Sequence, residues 1–270
     1  MTLTLPALLP GQYSLVYYFF LATAAIMVCC FFAQLVLSTK VMKWYRPAVY
    51  MSAFIVAVSA FHYIFIAMKW DDHYTLDGAM YQPADTDFLQ ALWRYAYWTP
   101  TVPLLLVSLV IVLNLSAKYT RSLSIRLSLA TVAMIALGYP GEIASDSNIR
   151  MIWGTISTLP FIYILYVLWA ELSLVEQDMP KRVARLVRSS KILLVIAWGF
   201  FPSVYLVPFF GSATGGVEVG LQIGYALADW VAKASFGFLI YAVAKAQSVE
   251  DELYIQQHNA ALAAAAVSGD

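Results

Sequence analysis

The sequence predicts an all-α fold in which seven helices cross a membrane as one bundle. Three observations carry this prediction. Of 270 residues, 61% are hydrophobic and 12% charged, against about half apolar and about a quarter charged in a soluble domain. The apolar residues fall in long runs, near the roughly 20 residues that a helix needs to cross about 30 Å of hydrocarbon. The connections between runs are short, so the chain reads as one bundle, with no internal repeat and no separate soluble domain.

The runs are, in order, 12–38, 47–68, 88–115, 122–139, 150–172, 187–210 and 217–246. Each is predicted helical, because backbone N–H and C=O groups in lipid find partners only within the segment. The first holds Cys29 and Cys30. Neighbours on a helix point about 100° apart, so these two are expected as small buried hydrophobes rather than a disulfide. The second holds His62 in AFHYIF, the third Arg94, and the seventh Asp229 and Lys233 in GYALADWVAKASFGFLIYAV. Residues 1–248 form the seven-helix unit. Residues 249–270 are polar, then Ala-rich, and are expected to fray as a cytoplasmic tail.

Lys and Arg number 16, as do Asp and Glu, but the charge is unevenly placed. Lys40, Lys43, Arg46, Lys118, Arg121, Arg126, Lys181, Arg182, Arg185, Arg188, Lys191 and Lys245 fall on one side. The other side keeps Lys69 and Arg150 and carries Asp71, Asp72, Asp77, Asp85 and Asp87. Basic loops stay in the cytoplasm, which puts the N-terminus outside and the C-terminus inside the cell's inner membrane. The first run is too long for a cleaved leader and lacks a basic flank. Membrane lipid is therefore the surrounding partner; neither nucleic acid nor a metal is expected.

Charge deep in a bilayer is expensive and points to function. Arg94, Asp229 and Lys233 are the three groups that qualify, with the basic half of the bundle expected to hold no carboxylate. Asp229 and Lys233 are four apart, one turn on one face. A structural ion pair is one reading. The other is chemical: an apolar site favours a neutral, nucleophilic lysine amine. Such an amine condenses with an aldehyde, and the protonated imine then needs an anion, which Asp229 supplies. Trp98, Trp198, Phe201, Tyr205 and Trp230 fit either a plain aromatic core or the slot of a flat polyene.

In these motifs the chain resembles the microbial rhodopsins, and within them the proteorhodopsins, over nearly all seven helices. WRYAYWTPTVPLLLVS resembles their third helix, LGYPGEI at 137–143 the end of the fourth, WGFFPSVY at 198–205 the sixth, and ADWVAKASFG the retinal-lysine helix. The resemblance implies covalent all-trans retinal on Lys233 as a protonated Schiff base, with Asp229 as counterion and Arg94 on the outward side. Trp98, Leu105, Trp198, Phe201, Pro202 and Tyr205 would line the retinal pocket, Leu105 at the position associated with green absorption. Gly154, after Trp153, stands where relatives carry a bulky tryptophan; it reads as a packing glycine or as a window for a carotenoid antenna. The resemblance also implies a homo-oligomer, a pentamer or a trimer.

The third helix departs from the outward-pump pattern, whose signature here reads Tyr97, Thr101, Ser108 in place of a carboxylate acceptor and a carboxylic donor. A phenol with an ordinary pKa of about 10 is a poor resting acceptor. Tyr97 either fills space or donates to Asp229. His62 matches a histidine that pairs with the missing carboxylate; it is read as bonding Tyr97, facing a protomer interface, or simply satisfied in the core. Glu142 and Glu218 are read as solvated helix ends or as proton carriers. Four functions follow: an inward proton pump, for which an aromatic residue at the counterion position and a single aspartate resemble the schizorhodopsins and suggest an inward-pumping mirror branch; a photosensor without transport; an outward proton pump; and an anion pump, whose chloride space Tyr97 would fill. The first is the expectation. The chain is read as a transporter or photoreceptor, not an enzyme, with Arg94, Tyr97, Thr101, Ser108, Glu142 and His62 on the proton path.

Overall fold

The computed structural model describes residues 5–84, 90–210 and 214–268; Asp85 and Asp87 lie outside them. Among the described residues the helices are α1 (Pro10–Ser38), α2 (Arg46–His73), α3 (Gln90–Val112), α4 (Ala117–Glu142), α5 (Ser147–Tyr166), α6 (Leu172–Gln177), α7 (Lys181–Tyr205), α8 (Gly215–Asp229) and α9 (Phe236–Ser268). A π-helical turn, Val167–Glu171, joins α5 to α6 in one rod, and another, Trp230–Ser235, joins α8 to α9. The result is seven rods, as expected. Six are apolar and long enough to cross a membrane. The other, α7, starts with Lys181, Arg182, Arg185, Arg188 and Lys191, and these cations lower its mean hydropathy.

Each of α1 to α4 packs on the next, α5 packs on α4, and α9 closes the ring against α2 and α7. Buried side chains face inward, among them Leu105, Leu106, Leu109, Val187, Leu194 and Ile240. The outer faces carry large apolar residues such as Phe61, 72% exposed, and Ile196, 69% exposed. That distribution suits lipid, which does not drive apolar faces together.

Two local features were not foreseen. Between α2 and α3 the chain forms an antiparallel hairpin, β1 (Tyr74–Asp77) with β2 (Met80–Pro83). Gly78 turns it at φ 59°, a left-handed conformation that glycine adopts without a Cβ clash. Leu8 and Tyr81 exchange backbone hydrogen bonds of 2.9 and 2.8 Å, tying the N-terminal segment across the hairpin. The tail, expected to fray, continues α9 through Ser268; alanine has the highest helix propensity. Asp251 anchors its base by accepting from Trp44 Nε1 and Tyr45 OH.

Candidate functional site

The seventh rod builds the centre of the site. Thr214 caps α8 by accepting from Val217 N–H. Asp229 ends α8, and Lys233 lies in the π turn that follows. Such turns recur at functional sites because they re-aim side chains within a helix. Asp229 and Lys233 are 1% and 2% exposed. Lys233 Nζ pairs with Asp229 Oδ1 and donates to Tyr97 OH at 2.9 Å. The other carboxylate oxygen, Oδ2, accepts from Tyr97 OH and, at 2.8 Å, from Tyr63 OH. Both oxygens of Asp229 are thus engaged by three donors from three rods. His62 stacks on the Tyr97 ring, with centroids 3.7 Å apart and planes 18° from parallel. The contact is face to face rather than a hydrogen bond.

A cavity of about 340 Å³ opens from Lys233 and Asp229 between α3, α4, α5 and α7. Trp98, Leu105, Gly154, Trp198, Phe201, Pro202 and Tyr205 all line it. Trp98 meets Phe201 edge to face at 5.0 Å, and Phe161 lies beside Trp198 at 6.4 Å. At Gly154 a Cβ would come within 2.7 Å of the Tyr205 ring, so the close approach requires glycine. The slot is apolar along its walls with an amine at one end, within the roughly 300–1,000 Å³ typical of ligand pockets. It suits an elongated, apolar carbonyl compound joined at Lys233 Nζ. Tyr97, Thr101, Ser108 and His62 stand outside its lining. Thr101 and Ser108 donate within their own helix, to Tyr97 O and Leu105 O.

Away from the basic end, a second layer of charge closes over the slot. Arg94 lines the cavity, donates to Gln222 Oε1 and lies 3.9 Å from the Tyr225 ring centroid. Gln222 in turn donates to Glu218 Oε1 at 2.6 Å. Glu142 pairs with Arg150 at 2.9 Å. Arg150 also donates to Tyr205 O, whose hydroxyl donates back to Arg150 O at 2.6 Å. Glu218 is only 6% exposed and the Glu142 side chain 19%, so neither is a solvated helix end.

Several other expectations change. Arg94, Asp229 and Lys233 are not the sole buried charges: Lys191 and Glu176 are 2% and 5% exposed and paired. Glu176, with Glu171, also places carboxylates in the basic half. Trp230 does not line the slot; it stacks on Phe19 at 5.3 Å and donates to Thr23 Oγ1. Cys29 is exposed and Cys30 half-buried, both as free thiols, because that face of α1 points outward. Sequence reasoning missed Tyr63, Gln222 and Tyr225. Their signals were present: Tyr63 follows His62, while Tyr225 and Gln222 precede Asp229 by four and seven residues, on its helical face.

Residues 14–247 match the family model described as bacteriorhodopsin-like protein. Over 233 residues the chain is 25% identical to the green-light absorbing proteorhodopsin of Gamma-proteobacterium EBAC31A08, covering 85% of this chain and 86% of that one. It is 31% identical over 150 residues to the bacteriorhodopsin of Halobacterium salinarum, 54% of each chain. Among solved structures, xanthorhodopsin, described as a light-driven ion pump with dual chromophore, is 40% identical with a TM-score of 0.86, over 92% of this chain and 99% of that one. A thermophilic rhodopsin superposes with a TM-score of 0.88 at the same identity and coverage. With its seven rods and its buried lysine–aspartate pair, this chain belongs to the bacteriorhodopsin-like family, the microbial rhodopsins, and is a multi-pass membrane protein.

Proposed function

We propose that this protein is a light-driven inward proton pump carrying retinal as a protonated Schiff base on Lys233, in a membrane whose cytoplasmic face meets the basic end. The observation that carries the reading is the engagement of Asp229. Its two oxygens already take Lys233, Tyr97 and Tyr63, and the third helix offers Tyr97 and Ser108 where an outward pump would offer acids.

The residues present fit retinal: an aromatic, apolar slot leads to a buried amine beside a single carboxylate. When bound, retinal supplies light absorption and an isomerisation that swings the nitrogen's proton away from Asp229. In the dark Asp229 holds that proton by ion pairing. Its protonation would disrupt contacts with both phenols, and hydrogen bonds to a charged group are each worth about 1.5–3 kcal/mol. Asp229 is therefore a costly acceptor, and Tyr97, already donating to it, is no better. On the cytoplasmic side the Ser108 hydroxyl is no acid, so it does not return a proton to the Lys233 nitrogen. The proton leaves inward. Reuptake runs from outside, along the Glu218, Gln222 and Arg94 chain and past Glu142, towards Tyr97 and Lys233.

A carotenoid antenna is part of the same proposal, resting on the similarity to a dual-chromophore pump. Energy transfer from an added carotenoid, read in the excitation spectrum, tests it. The transport reading is tested by illuminating a suspension of expressing cells. The medium should become more alkaline, and a protonophore should abolish the signal. Acidification would replace this reading with an outward pump; a normal photocycle without any pH change would replace it with a sensor.

A further inference from the structure

The side-chain ties at the basic end fall into two sets. In one, Gln247 Nε2 of α9 donates to Val112 O of α3 at 3.2 Å, and Ser248 Oγ accepts from Met42 N at 2.9 Å. These hold α9, α3 and the α1–α2 turn together. In the other, Glu171 accepts from Arg126 at 3.0 and 2.8 Å, joining α4 to the α5–α6 rod. Lys191 then joins α7 to that same rod. Its Nζ donates to Leu168 O at 2.9 Å, in the π turn, and to Ser173 Oγ at 3.1 Å, and it pairs with Glu176. Two hydrogen bonds and one ion pair thus hold its ammonium group. Arg188, largely exposed, adds only a 3.7 Å approach to Glu176.

Between the two sets the core is apolar, with Leu106, Leu109, Val187, Leu194, Ile240 and Val243 all fully buried. At its far end α7 is tied to α5 again, through Arg150 and Tyr205. Among the described residues α7 is thus pinned at both ends to one neighbour and meets α9 through the apolar core. Lys191 precedes the cavity residue Trp198 by seven residues, or two turns. It therefore lies about two turns of α7 from the cavity towards the basic end, turned to the α5–α6 rod.

We propose that Lys191 and Glu176 form a clasp that fixes α7 on the α5–α6 rod and keeps the apolar barrier between Lys233 and the cytoplasm closed to water in the dark. Both are positioning residues. In an inward pump the clasp supplies directionality, since it stops the released proton from returning before reuptake from outside; that part rests on the function proposed above. Without the clasp, α7 is held at this end by apolar contacts alone, and water reaches the Lys233 nitrogen through the seam.

The test uses the full-length pigment in vesicles exposing the basic end. Lys191→Met and Glu176→Gln each strand a buried charge and can impair folding. The double variant Lys191→Met/Glu176→Leu removes both charges, and such replacement of a buried pair is often neutral for stability. The first readout is bleaching by hydroxylamine in the dark, which reports water access to Lys233 whichever way the protein pumps. It should quicken about fivefold or more in the double variant, the low end of usual couplings between linked sites, and stay at the wild-type rate in Lys191→Arg. The second is reprotonation of the Lys233 nitrogen after a flash. It should be blind to bath pH in the wild type and proportional to bath proton concentration in the double variant. A double variant that forms normal pigment, bleaches at the wild-type rate and stays blind to bath pH would overturn the clasp. Acidification by wild-type cells would overturn the inward reading, while the dark bleaching comparison would still decide the clasp.

Discussion

Replacing Asp229 with asparagine removes the carboxylate beside Lys233 while keeping the side chain's shape. The pair is almost fully buried, with each side chain 2% exposed. Breaking a buried ion pair by neutralising one partner costs about 3–5 kcal/mol, because the remaining charge is stranded. Every 1.4 kcal/mol is about tenfold in an equilibrium, so the ratio of protonated to unprotonated nitrogen should fall by roughly two to four powers of ten. The carbonyl oxygen of the introduced asparagine still accepts from one phenol, which limits repacking of Tyr63 and Tyr97 and confines the effect to charge. The assay is the absorption spectrum of the Asp229→Asn pigment in halide-free buffer at neutral pH. The visible band should give way to a near-ultraviolet form. Halide should restore the visible band by entering as a replacement anion. An unchanged visible band without halide would show that another group balances Lys233, and the assignment of Asp229 as counterion would fall.

Three further outcomes follow. Lys233→Ala should yield a protein with no visible retinal band, although Lys191 is also buried, because the Lys191 amine is held by Leu168 O, Ser173 Oγ and the pairing with Glu176 and lies outside the cavity; a visible band without added amine would refute the attachment site. Tyr97→Asp should put a second carboxylate beside Asp229, so that the two titrate as a coupled pair. Its colour should change between about pH 4 and 9, where perturbed carboxylates titrate, with weaker inward transport, and a flat spectrum would show that position 97 does not face the nitrogen. Arg150→Met should strand Glu142 and lose the bond to Tyr205 O, costing about 3–5 kcal/mol. Thermal bleaching should then occur at lower temperature, and an unchanged melting point would mean that the Arg150 cluster holds nothing together.

The rods were legible in the sequence because lipid offers the backbone no hydrogen-bond partners, so long apolar runs have one local solution. The Asp229–Lys233 pair was legible for a similar reason: four residues along one helix are neighbours whatever surrounds them. The slot-lining residues were reached through motif resemblance, and they converge on one cavity. What a single helix leaves open is its rotation about its own axis and the identity of its neighbours. That freedom hid Tyr63 on Asp229, Gln222 between Arg94 and Glu218, and the pairing of Lys191 in α7 with Glu176 in α6. It also misplaced Trp230, which shares the lysine's rod but packs on Phe19 and Thr23, and Cys29, which faces outward. The sequence alone determined that the chain crosses a membrane and carries one lysine beside one aspartate. Only the tertiary structure decided which donors saturate that aspartate and which charges hold the two ends of the bundle, because those contacts join side chains from different rods.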